Sequence, residues 1–185
     1  TDTDKGTQDD NDDDAYSASL TYEGGPLSLG GAFQNISAAG ADEDAKQWRL
    51  TAGYAMGAVE IGAMWQGNSN EGHHDGKDRD IWSIGAGFGM GSNTIKAQYS
   101  VAGEHDDYSG ISGDDTGASK WSVGIDHKMS KKTKLYAMYS ALDNDDNVGV
   151  PLTHEGGHGD EGPNADSIAA GADPSAFSVG LVHKF

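Results

Sequence analysis

Hydrophobic and polar residues alternate with a period of two through most of this chain, and that alternation predicts long β-strands. The clearest stretch is Ser119 to Asp146, SKWSVGIDHKMSKKTKLYAMYSALDNDD. Trp121, Val123 and Ile125 share one face of a first strand, and a second alternating strand follows the basic turn 129–132. Each strand is about ten residues long, whereas strands of globular proteins usually have five or six. Such length suits a wall between lipid and water.

The same alternation recurs along the chain and predicts about nine strands. The predicted strands cover residues 15–24, 27–36, 46–56, 58–67, 79–90, 94–103, the two strands of 119–146, and 174–185. Tight turns alternate strictly with long polar loops, which are 37–45, 68–78, 104–118 and 143–173. Long loops at one end of the strands and short turns at the other are typical of outer-membrane barrels. The sequence therefore predicts an all-β fold, an antiparallel transmembrane β-barrel.

Aromatic residues lie near both ends of the predicted strands, as they do at the two interfaces of a bilayer. Those near the long-loop ends are Tyr16, Trp48, Trp65, Trp82 and Trp121. Those near the short-turn ends are Tyr22, Tyr54, Phe88 and Phe185. A soluble β-sandwich would also alternate, but it would rarely combine such long strands with long loops at one end only.

Composition excludes several classes of protein. Only 35% of the 185 residues are hydrophobic, and 28 of the 185 are glycine, which is not counted among the hydrophobic ones. No window holds the roughly 18 consecutive apolar residues of a membrane helix, which excludes an α-helical membrane protein. The mean hydropathy of -0.62 is compatible with a barrel, because only alternate strand residues face lipid. There is no cysteine for a disulfide framework. No signal peptide is visible, so we expect a mature, processed or truncated product.

The formal net charge of -18 makes nucleic acid and anionic head groups poor partners for the surface as a whole. Most of the acid lies in predicted loops and in an acidic arm, residues 1–14. Solvated acidic loops explain this better than a dedicated cation-attracting vestibule. We nevertheless expect these loops to attract cations, an effect that weakens at high salt because exposed charge is screened.

Two segments resemble those of general Gram-negative porins. WSVGIDHKMSKKTKLYAMYSALDND is similar to the family's strand–turn–strand signature, and the terminal AFSVGLVHKF is similar to its last strand. The resemblance implies that residues 1–185 are the C-terminal portion of a single porin β-barrel domain, with nine strands of a sixteen-stranded barrel. Residues 143–173 would then be a long extracellular loop. Nine strands are an odd number and cannot close a standard bacterial barrel, so the remaining strands would be missing from this chain.

The resemblance also implies function and partners. The function would be passive diffusion of small hydrophilic solutes and ions through a water-filled channel, without catalysis. The partners would be outer-membrane lipid, lipopolysaccharide, further copies in a homotrimer, and the barrel-assembly machinery. The assembly signal that this machinery reads would be the last strand, with Val179, Leu181, His183 and Phe185.

Polar residues on the predicted water-facing registers are candidate pore-lining residues. They are Glu23, Arg49, Glu60, Lys96, Gln98, Asp126, Lys128 and Lys134. In porins, basic residues on the wall face acidic groups on an inward loop, and the resemblance implies that role for Arg49, Lys96 and Lys134. The alternative is ordinary charge on a wet face, away from the narrowest point.

Loop histidines and acids suggest weak metal candidates. His73, His74 and Asp75 form one group with Asp78 and Asp80, and His154 and His158 form another with Glu155 and Asp160. The acids of 9–14 and 143–146 could bind calcium. No EF-hand spacing or HExxH motif occurs, so solvated loops are favoured and no cofactor is predicted. Two alternative functions stay open: a barrel whose acidic loops form a binding or adhesion surface, and a secreted calcium-binding β-domain.

Overall fold

The fold is built almost entirely from long β-strands. The computed structural model describes residues 14–38, 41, 43–107, 111–152 and 168–185. Within these residues the strands are β1 (Asp14–Gly24), β2 (Leu27–Ser37), β3 (Ala45–Met56), β4 (Val59–Ser69), β5 (Arg79–Met90), β6 (Asn93–Ala102), β7 (Ala118–Lys128), β8 (Thr133–Asn144) and β9 (Ser175–His183). A single 3-10 turn, Glu71–His73, lies between β4 and β5. No helix of the described residues is long and apolar enough to cross a membrane.

The nine strands form one antiparallel meander, in which each strand pairs with the next along the chain. The predicted all-β, antiparallel fold class is confirmed. In the described part of the chain β1 and β9 each pair on one side only, so the sheet is not closed. Several predicted boundaries shift by one or two residues. Asp14 belongs to β1 and not to the acidic arm, and β4 continues to Ser69 and β8 to Asn144, both inside predicted loops.

Local sequence explains the short turns at one end of the sheet. The connections after β1, β3 and β5 have two residues each, and the first is glycine with positive φ, as at Gly57 (63°) and Gly91 (59°). Glycine at the first central position suits a type II′ hairpin turn. The turn after β7 depends instead on Ser130, whose hydroxyl accepts hydrogen bonds from the backbone N–H groups of Lys132 and Thr133, both at 3.1 Å.

The two faces of the sheet differ in polarity. On β5 the exposed residues alternate strictly with less exposed ones, and the exposed set includes Trp82, Ile84 and Phe88. Among the described residues the only buried hydrophobic side chain is Leu142, at 6% exposure. Buried polar residues outnumber it: Asn35, Gln66, Asn68, Ser140 and Asn144. This distribution is the reverse of a soluble domain, which buries its apolar side chains.

Aromatic contacts follow the long-loop half of the apolar face. Phe33 lies between Tyr16 and Trp48, with ring centroids 5.9 and 4.2 Å away. Further along the sheet, Trp82 contacts Tyr99 at 5.6 Å and Trp121 contacts Tyr139 at 5.2 Å. The rings form a band across neighbouring strands, where the sequence predicts one of its two aromatic girdles.

Backbone hydrogen bonds join the long loops to one another. The Asp106 N–H donates to the Asp78 carbonyl at 2.8 Å, which joins the loop after β6 to the loop after β4. The Asn147 N–H donates to the Asp115 carbonyl, also at 2.8 Å, which joins the loop after β8 to the loop after β6. The described loop segments therefore form a connected rim at one end of the sheet.

Candidate functional site

The strand register assigns the candidate pore-lining residues to one face. Directly paired residues of neighbouring strands share a face, and the pairs Arg49–Gln66, Glu60–Gly87 and Gln98–Ser122 all belong to the face opposite the large apolar side chains. The charged residues of the nine strands on this polar face are Glu23, Arg49, Glu60, Arg79, Lys96, Lys120, Asp126, Lys128 and Lys134. Bases outnumber acids there, although the whole chain is strongly acidic.

Three of the candidates form an ion-pair cluster across three consecutive strands. Asp126 on β7 accepts hydrogen bonds on one oxygen, Oδ2, from Lys96 Nζ at 2.7 Å and Lys134 Nζ at 3.0 Å. The side chains of the two lysines are 53% and 37% exposed, so each pair contributes at most about 1 kcal/mol to stability. One carboxylate between two ammonium groups leaves the cluster with a net positive charge toward the solvent.

A concave surface surrounds this cluster. A cavity of about 500 Å³ is lined by polar-face residues of β4 to β8, including Glu60, Lys96, Gln98 and Asp126. Gly87 pairs with both Glu60 and Lys96 in the ladder and carries no side chain between them. The arrangement can attract or repel dissolved ions, because charged side chains face a water-accessible concavity.

Arg49 lies apart from the two lysines, nearer to the long-loop end of the sheet. Its Nε donates to Gln66 Oε1 at 2.9 Å, and its Nη2 donates to the same oxygen. Gln66 Nε2 in turn donates to Asn68 Oδ1 at 2.9 Å, and Gln47 Nε2 donates to that oxygen at 3.1 Å. The chain of amides holds the guanidinium over β4. The structure thus brings together Lys96 and Lys134 of the three predicted wall bases, but not Arg49.

Sequence reasoning missed Gln66 and Asn68, although a signal for them exists. The two-residue turn 57–58 fixes the register of β3 against β4, and that register pairs Arg49 with Gln66 and Gln47 with Asn68. Alternation alone assigns a residue to a face. Only the turn identifies its partner across the ladder.

A second charged cluster, which the sequence did not indicate, joins two long loops. Glu71 accepts from Arg79 Nη2 at 2.9 Å, and its other oxygen lies 2.5 Å from His105 Nε2. Burial disfavours the charged form of Glu71, but the neighbouring Arg79 and His105 outweigh burial and lower its pKa. Burial also lowers the pKa of His105, and this outweighs the opposite effect of its hydrogen bond to Glu71. The cluster therefore favours an ionised Glu71 beside a neutral His105.

The structure does not gather the metal candidates into a ligand set. In the part of the chain that it describes, no group of three or more His, Asp or Glu side chains could hold a metal ion. His73 Nδ1 lies 3.1 Å from the Glu43 carbonyl oxygen. The other candidates, His154 and His158 with Glu155 and Asp160, lie outside the described residues, as do the acids of 9–13.

The final strand presents the predicted assembly residues on one face. Val179 and Leu181 are exposed on the apolar side of β9. His183 Nδ1 lies 2.9 Å from Thr133 Oγ1, and the rings of His183 and Phe185 are 5.1 Å apart. The second edge of β9 has no strand beside it among the described residues.

Comparison with protein families and curated proteins gives a consistent result. The family described as Gram-negative porin matches residues 1–147. Outer membrane porin protein 32 of Delftia acidovorans is 27% identical over 170 residues, which cover 90% of this chain and 45% of that protein. The chain thus spans about half the length of the curated relative that it matches.

Solved structures share the fold. An anion-selective porin from Comamonas acidovorans superposes with a TM-score of 0.69 at 25% identity, over 92% of this chain and 49% of that one. A porin refined at 1.8 Å resolution gives a TM-score of 0.59 at 13% identity, over 92% of this chain and 51% of that one. The NanC porin gives 0.57 at 9% identity, with 92% and 78% covered. The last two likenesses concern the fold alone.

Proposed function

The chain belongs to the Gram-negative porin family, and we propose that it forms part of the wall of a water-filled channel for small hydrophilic solutes and ions. Family membership places it in the outer membrane and points to a channel rather than an enzyme. Transport would be passive diffusion down a gradient, without a chemical step.

One observation carries this proposal: the sheet is apolar where it is most exposed and polar on its concave side. Ile84 and Trp82 are 50% and 43% exposed on one face of β5, whereas Ser83 on the other face lies near Gln98 and Ser100. In water such an apolar face would cost roughly 25 cal/mol per Å². Against lipid the cost disappears, and the polar face then borders water.

We propose further that this chain is the C-terminal portion of its barrel. Among the described residues β1 and β9 each have one unpaired edge. This supports the proposal, because an open sheet edge in lipid leaves backbone groups without hydrogen bonds. About seven additional strands would complete a sixteen-stranded barrel and pair with both edges. The chain covers 45% of the Delftia acidovorans porin and 49% and 51% of the first two solved porins, which agrees with that estimate, whereas it covers 78% of the NanC porin.

The same proposal assigns partners. The apolar face would contact outer-membrane lipid and further copies of the protein in a homotrimer, and the acidic rim would contact lipopolysaccharide through bridging divalent cations. The barrel-assembly machinery would read β9 and the residues after it, with Val179, Leu181 and His183 on the apolar face and Phe185 two residues further on; among the described residues one edge of β9 is unpaired. No cofactor is part of the proposal.

Loops and wall favour ions of opposite sign. The acidic loops attract cations, whereas the polar face carries more bases than acids, which agrees with the anion selectivity of the Comamonas acidovorans porin. Loop charges are exposed and are screened beyond about 10 Å at 0.1 M salt. Charges on the wall act at shorter range on an ion inside the barrel. At low salt the acidic loop charges are little screened, so we expect a cation preference. Screening of these charges should weaken that preference as salt rises.

Planar-bilayer recordings of the intact protein that contains this chain test both statements. We expect stable open-channel currents, and reversal potentials whose cation preference falls between about 0.01 and 1 M salt. Absence of current would refute the diffusion channel. Anion preference already at low salt would refute the role of the loops while leaving the channel in place.

A further inference from the structure

Lysines collect at the short-turn end of β7, β8 and β9. A single cavity of about 650 Å³ there is lined by five of them. They are Lys128, Lys131, Lys132, Lys134 and Lys184. We call this set the lysine mouth. No acidic side chain is among the described residues that line the cavity, although acids far outnumber bases in the whole chain.

The backbone, and not the side chains, holds these lysines together. Lys128 and Lys134 are direct partners in the β7–β8 ladder. The Lys184 N–H donates to the Lys132 carbonyl at 2.8 Å, which brings the end of β9 against the turn. Like charges that lie directly opposite each other destabilise a sheet. The fold therefore tolerates a repulsion that a bound anion would relieve.

Carboxylates of the described residues compensate only a small part of this charge. Asp126 pairs with Lys134, but its Oδ2 is shared with Lys96. None of the other four lysines of the lysine mouth makes a salt bridge to a described acid. The unneutralised ammonium groups have donors available for a ligand, because each carries three N–H groups.

We propose that the lysine mouth binds multivalent phosphate anions that enter or leave through the channel, an inference that rests on the proposed function. Several compact ammonium charges around one cavity suit a ligand with several adjacent anionic oxygens. Lys128 and Lys134 belong to the polar, concave face. Val182 pairs with Lys134 on that face, and Lys184 lies two residues after Val182. This side faces the lumen, so the ligand is a dissolved anion and not the phosphate head group of a lipid on the apolar face.

Equilibrium binding tests the site without requiring ion conduction. Tripolyphosphate is titrated calorimetrically into the intact protein in a neutral detergent, and we expect saturable binding that weakens as salt rises. Removal of one unit charge about 4 Å from a single negative charge of the ligand should lower the association constant roughly five-fold in water, and the other charges of tripolyphosphate add to this loss. The double variant K131Q/K132Q should therefore bind at least roughly 25-fold more weakly. The single variant Lys184→Gln is a second, independent probe on another strand.

Lys120→Gln is the matched control. Lys120 has the same charge and lies on the same face of β7, but at the long-loop end, where it pairs with Leu142. This variant should bind tripolyphosphate as the parent does. Absence of saturable binding, or an equal loss in Lys120→Gln and Lys184→Gln, would overturn the proposal.

Two further arms identify the source and the side of the ligand. Binding to protein in phosphatidylcholine vesicles is repeated with phosphatidylglycerol added. Unchanged affinity supports a dissolved anion, whereas competition by the anionic lipid would overturn it.

In bilayers, tripolyphosphate should block current from the short-turn side and lose that effect in K131Q/K132Q. Equal block from both sides would contradict the site. A protein that binds but does not conduct would refute the channel and not the lysine mouth.

Discussion

Replacement of Asp126 by asparagine should shift ion selectivity toward anions. The carboxylate is the shared acceptor of Lys96 and Lys134, so its removal takes one negative charge from the wall and leaves both ammonium groups unpaired. Folding should be little affected, because the two lysines are 53% and 37% exposed and each pair contributes at most about 1 kcal/mol. The ion flow is therefore the property to measure.

The size of the shift follows from Coulomb's law. An ion that passes about 10 Å from Asp126 in water gains or loses about 0.4 kcal/mol when one unit charge is removed. Screening leaves about 0.3 kcal/mol at 0.01 M salt and about 0.15 kcal/mol at 0.1 M. Anions gain and cations lose this amount. The permeability ratio of anions to cations should therefore rise about threefold at 0.01 M and about 1.7-fold at 0.1 M.

Reversal potentials across a salt gradient measure this ratio in the parent, in Asp126→Asn and in Asp143→Asn. Asp143 is the matched control, because it lies on β8 but pairs with Ser119 on the other face of the sheet. Its replacement should shift the ratio less. A ratio that does not change in Asp126→Asn, or that moves toward cations, would show that this carboxylate does not border the ion path.

Two more predictions concern stability. Ile84→Arg puts a charge at the middle of β5 on the apolar face and should lower the unfolding free energy in vesicles by about 2–4 kcal/mol. Ser83→Arg, on the polar face, is its control. Equal losses in the two variants would invalidate the assignment of faces. The pKa values of His105 and Glu71 are both lowered by folding, so the unfolded chain takes up protons first and stability should fall as pH drops below 6.5, the ordinary value for histidine. Denaturant titrations in detergent should show a smaller loss between pH 7 and 5 in His105→Gln, and an unchanged pH dependence would exclude His105 as its source.

The sheet could be predicted from the sequence because its two determinants are local. Alternation assigns each residue to a face, and two-residue glycine turns such as the one at Gly57 fix the register of a hairpin. The approach of Lys96 to Asp126 across β6 and β7 was beyond this reasoning, because a long loop separates those strands and leaves their register unspecified. The contact of Glu71 with His105 joins two such loops, where no period exists. The buried Gln66 lay within reach of sequence reasoning, but only through its register with Arg49.

The strict meander also has a consequence for folding kinetics. Four of the eight strand pairs close through connections of two to four residues, whereas β9 reaches β8 only after the 30 residues between Asn144 and Ser175. By chain entropy, closing a 30-residue connection costs about 2.4 kcal/mol more than closing one of two residues. The β7–β8 hairpin should therefore form early, and β9 should join it late. The last strand to dock would then also be one of the two strands that have an unpaired edge among the described residues, so the search for its second neighbour would begin only when the rest of the meander is in place.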